Sequence, residues 1–235
     1  MNPITVLDQG ILDGLDAFAR KSWIFDRMVS ALADNDLLKG GVIMAAFWWA
    51  WFRTRADGKS RDREHVIATI IGCLAALALG RLLVVALPFR IRPIYETSFA
   101  FVVPYGVNLG VLAKASSFPS DHAVLFFGLA AGLYHISRPV GLLAAVYTAL
   151  LIALPRMYLG LHYFSDIVAG GVIGAAVCCV ANRVLPATCV VQVLEQQVSM
   201  RPMWFYPALF LVTFEITELF ESTRSIVGGL FKIFR

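Results

Sequence analysis

The chain has 235 residues, 59% of them hydrophobic and only 15% charged, with a formal net charge of +4. A soluble domain is about 45–50% apolar even with glycine counted, so an ordinary soluble fold is excluded and an integral membrane protein is expected. The small positive excess fits membrane orientation and anion binding and makes no case for nucleic acid.

Several apolar runs approach the roughly 20 residues that carry a helix across a bilayer, and none alternates with the period of two of a barrel strand. The expected fold class is all-α: a polytopic membrane helical bundle of five core transmembrane helices plus a candidate sixth. Residues 1–36 form a first unit, in which Val6, Leu7, Ile11, Leu15 and Phe18 are interrupted by Asp8, Asp13, Asp16, Arg20, Lys21 and Asp26. This amphipathic pattern suits helices lying at the interface, and it lacks the features of a cleaved signal peptide.

Residues 37–185 are expected to form the transmembrane core. The first span is Leu37 to Phe52, with Trp48, Trp49 and Trp51 at a headgroup boundary. Arg53 to His65 carries Arg53, Arg55, Lys59, Arg61 and Arg63, and the positive-inside rule makes this loop cytoplasmic. Val66 to Phe89 then crosses, broken only by Arg81, and Arg90 to Phe118 forms an external connection. Pro119 to Ile136, Val140 to Leu154 and Phe164 to Val180 complete the core. This alternation brings Arg92, Ser120 to His122, and Arg156 to Asp166 to one external side. Residues 186–235 form a C-terminal extension. Within it, Pro202 to Phe220 is apolar enough to cross but contains Glu215 and Glu218, so a sixth span and an interfacial helix are both open. The four cysteines have no spacing that suggests a disulfide framework or a zinc site.

Two stretches concentrate the polar chemistry. In Pro119-Ser120-Asp121-His122, Pro119 reads as the first helical residue, capped by Ser116 or Ser117, with Ser120, Asp121 and His122 in the first turn. Free N–H groups and the helix dipole make such a turn a site for a phosphate-like anion. Capping alone explains the serine and aspartate but not His122. In the second stretch, His162 and Asp166 are four apart and would share a helix face. A carboxylate bonded to one imidazole nitrogen fixes the tautomer and leaves the other nitrogen free as base or nucleophile. Arg156 and Arg92 supply planar charged forks suited to phosphate oxygens. Gly128-x3-Gly132 and Gly170-x3-Gly174 lie on the two helices expected to carry the histidines, where small residues permit close packing.

In order along the chain, these residues resemble the type 2 phosphatidic acid phosphatase superfamily of membrane lipid phosphatases, whose site is related to vanadium haloperoxidases and bacterial acid phosphatases. The family motifs K-x6-R-P, P-S-G-H and S-R-x5-H-x3-D read here as Arg92-Pro93, Pro119-Ser120-Asp121-His122, and Arg156 followed by His162 and Asp166. The resemblance implies that His162 is the nucleophile forming a phosphohistidine, Asp166 its orienting carboxylate and His122 the acid for the leaving group. It implies that Arg92, Arg156 and Ser120 bind phosphoryl oxygens, with Asp121 beside them, and it requires no metal or other cofactor. A metal set of His122, Asp121, His162 and Asp166 is the competing reading, and it leaves the arginines without a role.

Three positions depart from the motifs. Val85 stands where the family has Lys, with Arg81 and Arg90 as candidate replacements. Asp121 stands in place of Gly, where its carboxylate would hold His122 protonated. Pro155 stands in place of Ser. The expected function is an integral membrane phosphatase acting on a lipid phosphate or diphosphate at the external face, in a bacterium the periplasmic face of the inner membrane. Undecaprenyl diphosphate is the preferred substrate, with phosphatidylglycerol phosphate, phosphatidic acid and lipid A as alternatives. Phosphoryl transfer to a second lipid is a further alternative, and an anion transporter is the alternative from another class. The expected partners are the lipid substrate and the bilayer. Oligomeric state is left open.

Overall fold

Apolar runs continue as helices until proline or a charged turn stops them. The computed structural model describes residues 3–53, 61–98, 101–107, 115–223 and 225–226, so Arg55, Lys59 and Lys114 lie outside the described residues. Helix α1 spans Pro3–Asp16, α2 Trp23–Asp34 and α3 Val42–Phe52, the last preceded by a π-helical turn at Leu37–Gly41. Helix α4, Asp62–Ala86, ends three residues before the expected Phe89. Pro88 is the reason: it drives Leu87 into extended backbone, at φ −99° and ψ 156°.

Helix α5 spans Asp121–Ile136 and α6 Arg138–Tyr147. A π-helical stretch, Thr148–Ala153, joins α6 to α7, Leu154–Tyr158. This rod runs past the expected end at Leu154, because the wider π turn accommodates Pro155, which has no N–H to give. Helices α8, Phe164–Val184, α9, Cys189–Met200, and α10, Pro202–Thr217, complete the described chain.

Among the described residues, Asp62–Ala86, Arg138–Tyr158 and Phe164–Ala187 are long and apolar enough to cross a membrane, and Leu37–Phe52 is a shorter apolar helix. The fold is thus an all-α membrane bundle. Helix α5 is its axis, packed against α4, α6 and α8, and Val124, Leu125, Leu129 and Leu133 on it are all 0% exposed. At the α5–α8 contact a Cβ on Gly174 would lie 1.9 Å from the Val124 carbonyl oxygen, and one on Gly170 would lie 2.7 Å from that of Ser120. The two backbones therefore touch where any side chain would push them apart. Gly174→Ala is expected to destabilise the fold by about 1–3 kcal/mol through overpacking. Thermal unfolding in detergent checks this against Gly10→Ala, where an added Cβ meets nothing within 4 Å.

Charge collects at the two ends of this bundle. At one end Arg53 pairs with Asp62 at 2.6 Å, and His65 Nδ1 lies 3.0 Å from Asn182 Oδ1. At the other end are Arg81, Arg90, Arg92 and the histidine stretches, against which α1 and α2 are packed. Helix α1 turns Asp8 and Leu12 inward and leaves Ile4 and Leu7 exposed. Helix α10 has 16 residues, about 24 Å at 1.5 Å per residue. It is fastened near its start by stacking of Phe205 on Trp51, with centroids 5.7 Å apart. Glu215 within the helix and Glu218 at its C-cap are bonded by hydroxyls beyond the helix: Thr223 donates to Glu215 and Ser222 to Glu218.

Candidate active site

The segment before α5 differs from the expected cap. Ser120, not Ser116 or Ser117, is the N-cap, its Oγ accepting from the Ala123 N–H, and the helix begins at Asp121 rather than Pro119. The Ser117 hydroxyl is drawn instead to the carboxylate of Asp166, a charged and therefore stronger acceptor. Asp121 and His122 still occupy the first turn, where the helix dipole is positive.

The His162–Asp166 pair also forms in an unexpected way. Helix α8 starts at Phe164, so His162 lies in the preceding loop, which turns at Gly160 with φ +67°. The two residues do not share a helix face. Asp166 folds back over its own helix start and accepts from the Tyr163 N–H at 2.8 Å, which brings its Oδ2 to 3.8 Å from His162 Nδ1. That distance is too long for a hydrogen bond. The Nδ1 hydrogen goes to the Ser117 carbonyl oxygen at 2.8 Å.

On the other side of the ring, Nε2 lies 3.3 Å from Arg92 Nη1. A guanidinium nitrogen can only donate, so Nε2 must accept. Both neighbours thus select one neutral tautomer, with hydrogen on Nδ1 and a lone pair on Nε2. His162 is 4% exposed. Burial holds its pKa below the ordinary imidazole range, with the charges of Arg92 and Arg156 acting in the same direction and Asp166 opposing.

Arg92 is fixed by backbone carbonyls. Nη1 donates to Leu161 at 2.6 Å, Nε to Ala115 at 3.2 Å and Nη2 to Ser116 at 3.2 Å. Arg156 is buried, with Nη2 on the Ala33 carbonyl of α2 at 3.3 Å, and its Nε is buried without a hydrogen-bond partner among the described residues. The ring of His122 lies 6.2 Å from that of Phe126. Ser120 is buried between the helices, its N–H donating to the Asp166 carbonyl oxygen at 3.3 Å.

The positions that depart from the motifs have distinct surroundings. Val85 is 87% exposed on the outer face of α4. Arg81 reaches the start of α5 and pairs with Asp121 Oδ2 at 2.6 Å. The Asp121 carboxylate is thus engaged by Arg81. Arg90 lies behind Asp166: Nη1 donates to Asp166 Oδ1 at 2.5 Å and to Ser165 Oγ at 2.8 Å, and Nη2 donates to Asp8 Oδ2 at 2.7 Å.

Three contributors escaped the sequence reading: the Ser117 carbonyl and hydroxyl, Ser165, and Asp8. Asp8 had a signal, since it shares an α1 face with Leu12 and Leu15, four and seven residues on, so that a carboxylate was aimed at the core.

These side chains define an integral membrane protein with two histidines, a buried carboxylate and several arginines gathered at one end of a helical bundle. The chain belongs to the PAP2 superfamily, whose model matches residues 69–188, just over half of its length. It is 28% identical over 137 residues to lipid A 1-diphosphate synthase of Escherichia coli (strain K12). That match covers 57% of this chain and 55% of the relative, so the chain spans about half the length of that protein. The transmembrane PAP2 type phosphatidylglycerolphosphate phosphatase from Bacillus subtilis is a solved structure similar to this one, with a TM-score of 0.49 and 18% identity, covering 84% of this chain and 89% of that one.

Proposed function

We propose that this protein is a membrane phosphatase that removes phosphate from a lipid phosphate or diphosphate through a phosphohistidine at His162. The observation that carries the reading is the unprotonated Nε2 of a buried imidazole lying 3.3 Å from a guanidinium. A nucleophile and an oxygen-binding cation stand side by side, which is what in-line phosphoryl transfer requires.

In the first step an Nε2–P bond forms as the bond from phosphorus to the leaving oxygen breaks, and His122 gives that oxygen its proton. In the second, water attacks the phosphohistidine, His122 takes the water's proton, and inorganic phosphate leaves. Arg92, Arg156 and Ser120 hold the phosphoryl oxygens, and Asp166 offsets the positive charge that develops on the ring. Arg81 arrives as half of an ion pair with Asp121, so its charge is largely offset and Arg92 and Arg156 carry the binding.

The substrate we favour is a polyprenyl diphosphate such as the undecaprenyl carrier, reached at the external, in a bacterium periplasmic, face of the inner membrane. Purified protein is expected to release inorganic phosphate from such a lipid in the presence of excess chelator. A panel with phosphatidylglycerol phosphate, phosphatidic acid and lipid A ranks the substrates, and no release from any of them overturns the reading.

A second reading, transfer of the phosphoryl group to a lipid acceptor, draws support from the E. coli relative, whose name is that of a diphosphate synthase. It predicts labelled lipid in place of labelled inorganic phosphate.

The depressed His162 pKa sets a pH dependence. Protonation of Nε2 removes the lone pair, so kcat/KM is lost only as pH falls through a value below the ordinary imidazole range of about 6.5. The neutral ring also favours the folded state above that ordinary value, and this contribution declines as pH falls toward the folded pKa. A pH–rate profile whose acid limb has its midpoint above 6.5 contradicts the assignment.

A further inference from the structure

Asp8 is 1% exposed, and a carboxylate so buried is costly unless it is paired. Its partners are specific. Oδ1 accepts from the Ser165 N–H at 2.9 Å, and Oδ2 accepts from Ser165 Oγ at 2.7 Å and from Arg90 Nη2 at 2.7 Å. Ser165 Oγ spends its one hydrogen on Asp8 and accepts from Arg90 Nη1 at 2.8 Å. The other contact of Nη1 is Asp166 Oδ1 at 2.5 Å. Arg90 therefore stands between two buried carboxylates, with its guanidinium 4.2 Å from the centre of the Tyr163 ring.

We propose that Asp8, delivered by the N-terminal helix α1, is a positioning residue of the active site: through Arg90 and Ser165 it holds Asp166, and hence the loop bearing His162, in register. The inference rests on the reading of His162 and Asp166 as the reacting pair. Residue 8 lies outside the family-matched stretch 69–188, so this support comes from a part of the chain that the family model does not cover. Loss of the Asp8 charge removes one of the two carboxylates that hold Arg90, and so loosens the only side-chain contact among the described residues that fixes Asp166 Oδ1. The Oδ2 contacts to Ser117 and the Tyr163 N–H remain, so the expected effect is a loosened pair in a folded protein.

The test uses the full-length protein in detergent micelles with a lipid phosphate substrate. Asp8→Asn, nearly isosteric, is expected to lower kcat about tenfold or more, as loss of a supporting partner behind a reacting ligand does, with KM little changed. Asp8→Glu, which keeps the charge, is expected to recover part of kcat, which simple packing of α1 would not do. Arg90→Gln is expected to lower kcat similarly, and the double variant to be no worse than the worse single one, since both act through one chain of contacts.

A readout without turnover is the rate of His162 carbethoxylation followed by mass spectrometry, which is expected to rise several-fold in Asp8→Asn as the buried ring is released. If the wild type hydrolyses no lipid phosphate, the functional reading fails while this labelling contrast still decides the network. Unchanged kcat and unchanged labelling in folded Asp8→Asn overturn the proposal. So does a change confined to KM, which would make Asp8 a substrate contact.

Discussion

His162→Ala is expected to reduce phosphate release from a lipid phosphate by at least about 10⁴-fold, because the step that splits one hard displacement into two easier ones then has no nucleophile. The size of the effect follows from the geometry. Nε2 is the ring nitrogen that carries the lone pair, and Arg92, which donates to it, lies beside it where a phosphoryl oxygen would be received. The imidazole is also tied to the fold through Nδ1, which donates to the Ser117 carbonyl, so its removal leaves that buried acceptor to find a new partner, a cost of about 1–3 kcal/mol. Unfolding measured alongside activity separates the two effects. Turnover undiminished in the folded variant would end the nucleophile assignment.

Arg92→Lys is expected to be the next most severe change, lowering kcat/KM by about 10²–10³-fold, the scale reported for losing one preorganised donor at a developing charge. The substitution keeps the charge, yet three nitrogens of Arg92 satisfy three different carbonyls, from Leu161, Ala115 and Ser116, while Nη1 also faces His162 Nε2. A lysine has a single nitrogen on a flexible stem and cannot span those acceptors. A kcat/KM within a few-fold of wild type would show that charge alone suffices and that the fork geometry is incidental.

The parts of this site that were legible in sequence are those whose partners lie close along the chain or whose spacing is itself a signature. Arg156, His162 and Asp166 fall within one short stretch, and hydropathy alone brings them to the bundle end that also holds Arg92 and Ser120. The helix boundaries went astray where a proline constrained its neighbour or a hydroxyl found a stronger acceptor. Pro88 ended α4 early, and Ser120 took the capping role assigned to Ser116 or Ser117 because the Ser117 hydroxyl found a carboxylate. What was illegible depends on contacts between distant residues. The face Asp8 shares with Leu12 and Leu15 aims it at the core, but nothing near it signals that it will meet an arginine 82 residues away. Arg90 likewise reads as a phosphate ligand until the two carboxylates around it are seen. The Ser117 carbonyl has no sequence signature, since every residue carries one.

That carbonyl aims Nε2, the proposed nucleophile. In the expected arrangement a carboxylate would receive the Nδ1 hydrogen, and the orientation of the ring would then depend on a group that itself gains and loses a proton. Here the acceptor is a peptide oxygen, which stays unprotonated across the physiological range. The direction in which Nε2 points is thereby insulated from acidification of the medium, and in the proposed mechanism the Asp166 carboxylate, relieved of that duty, is kept for the moment when the ring becomes a cation.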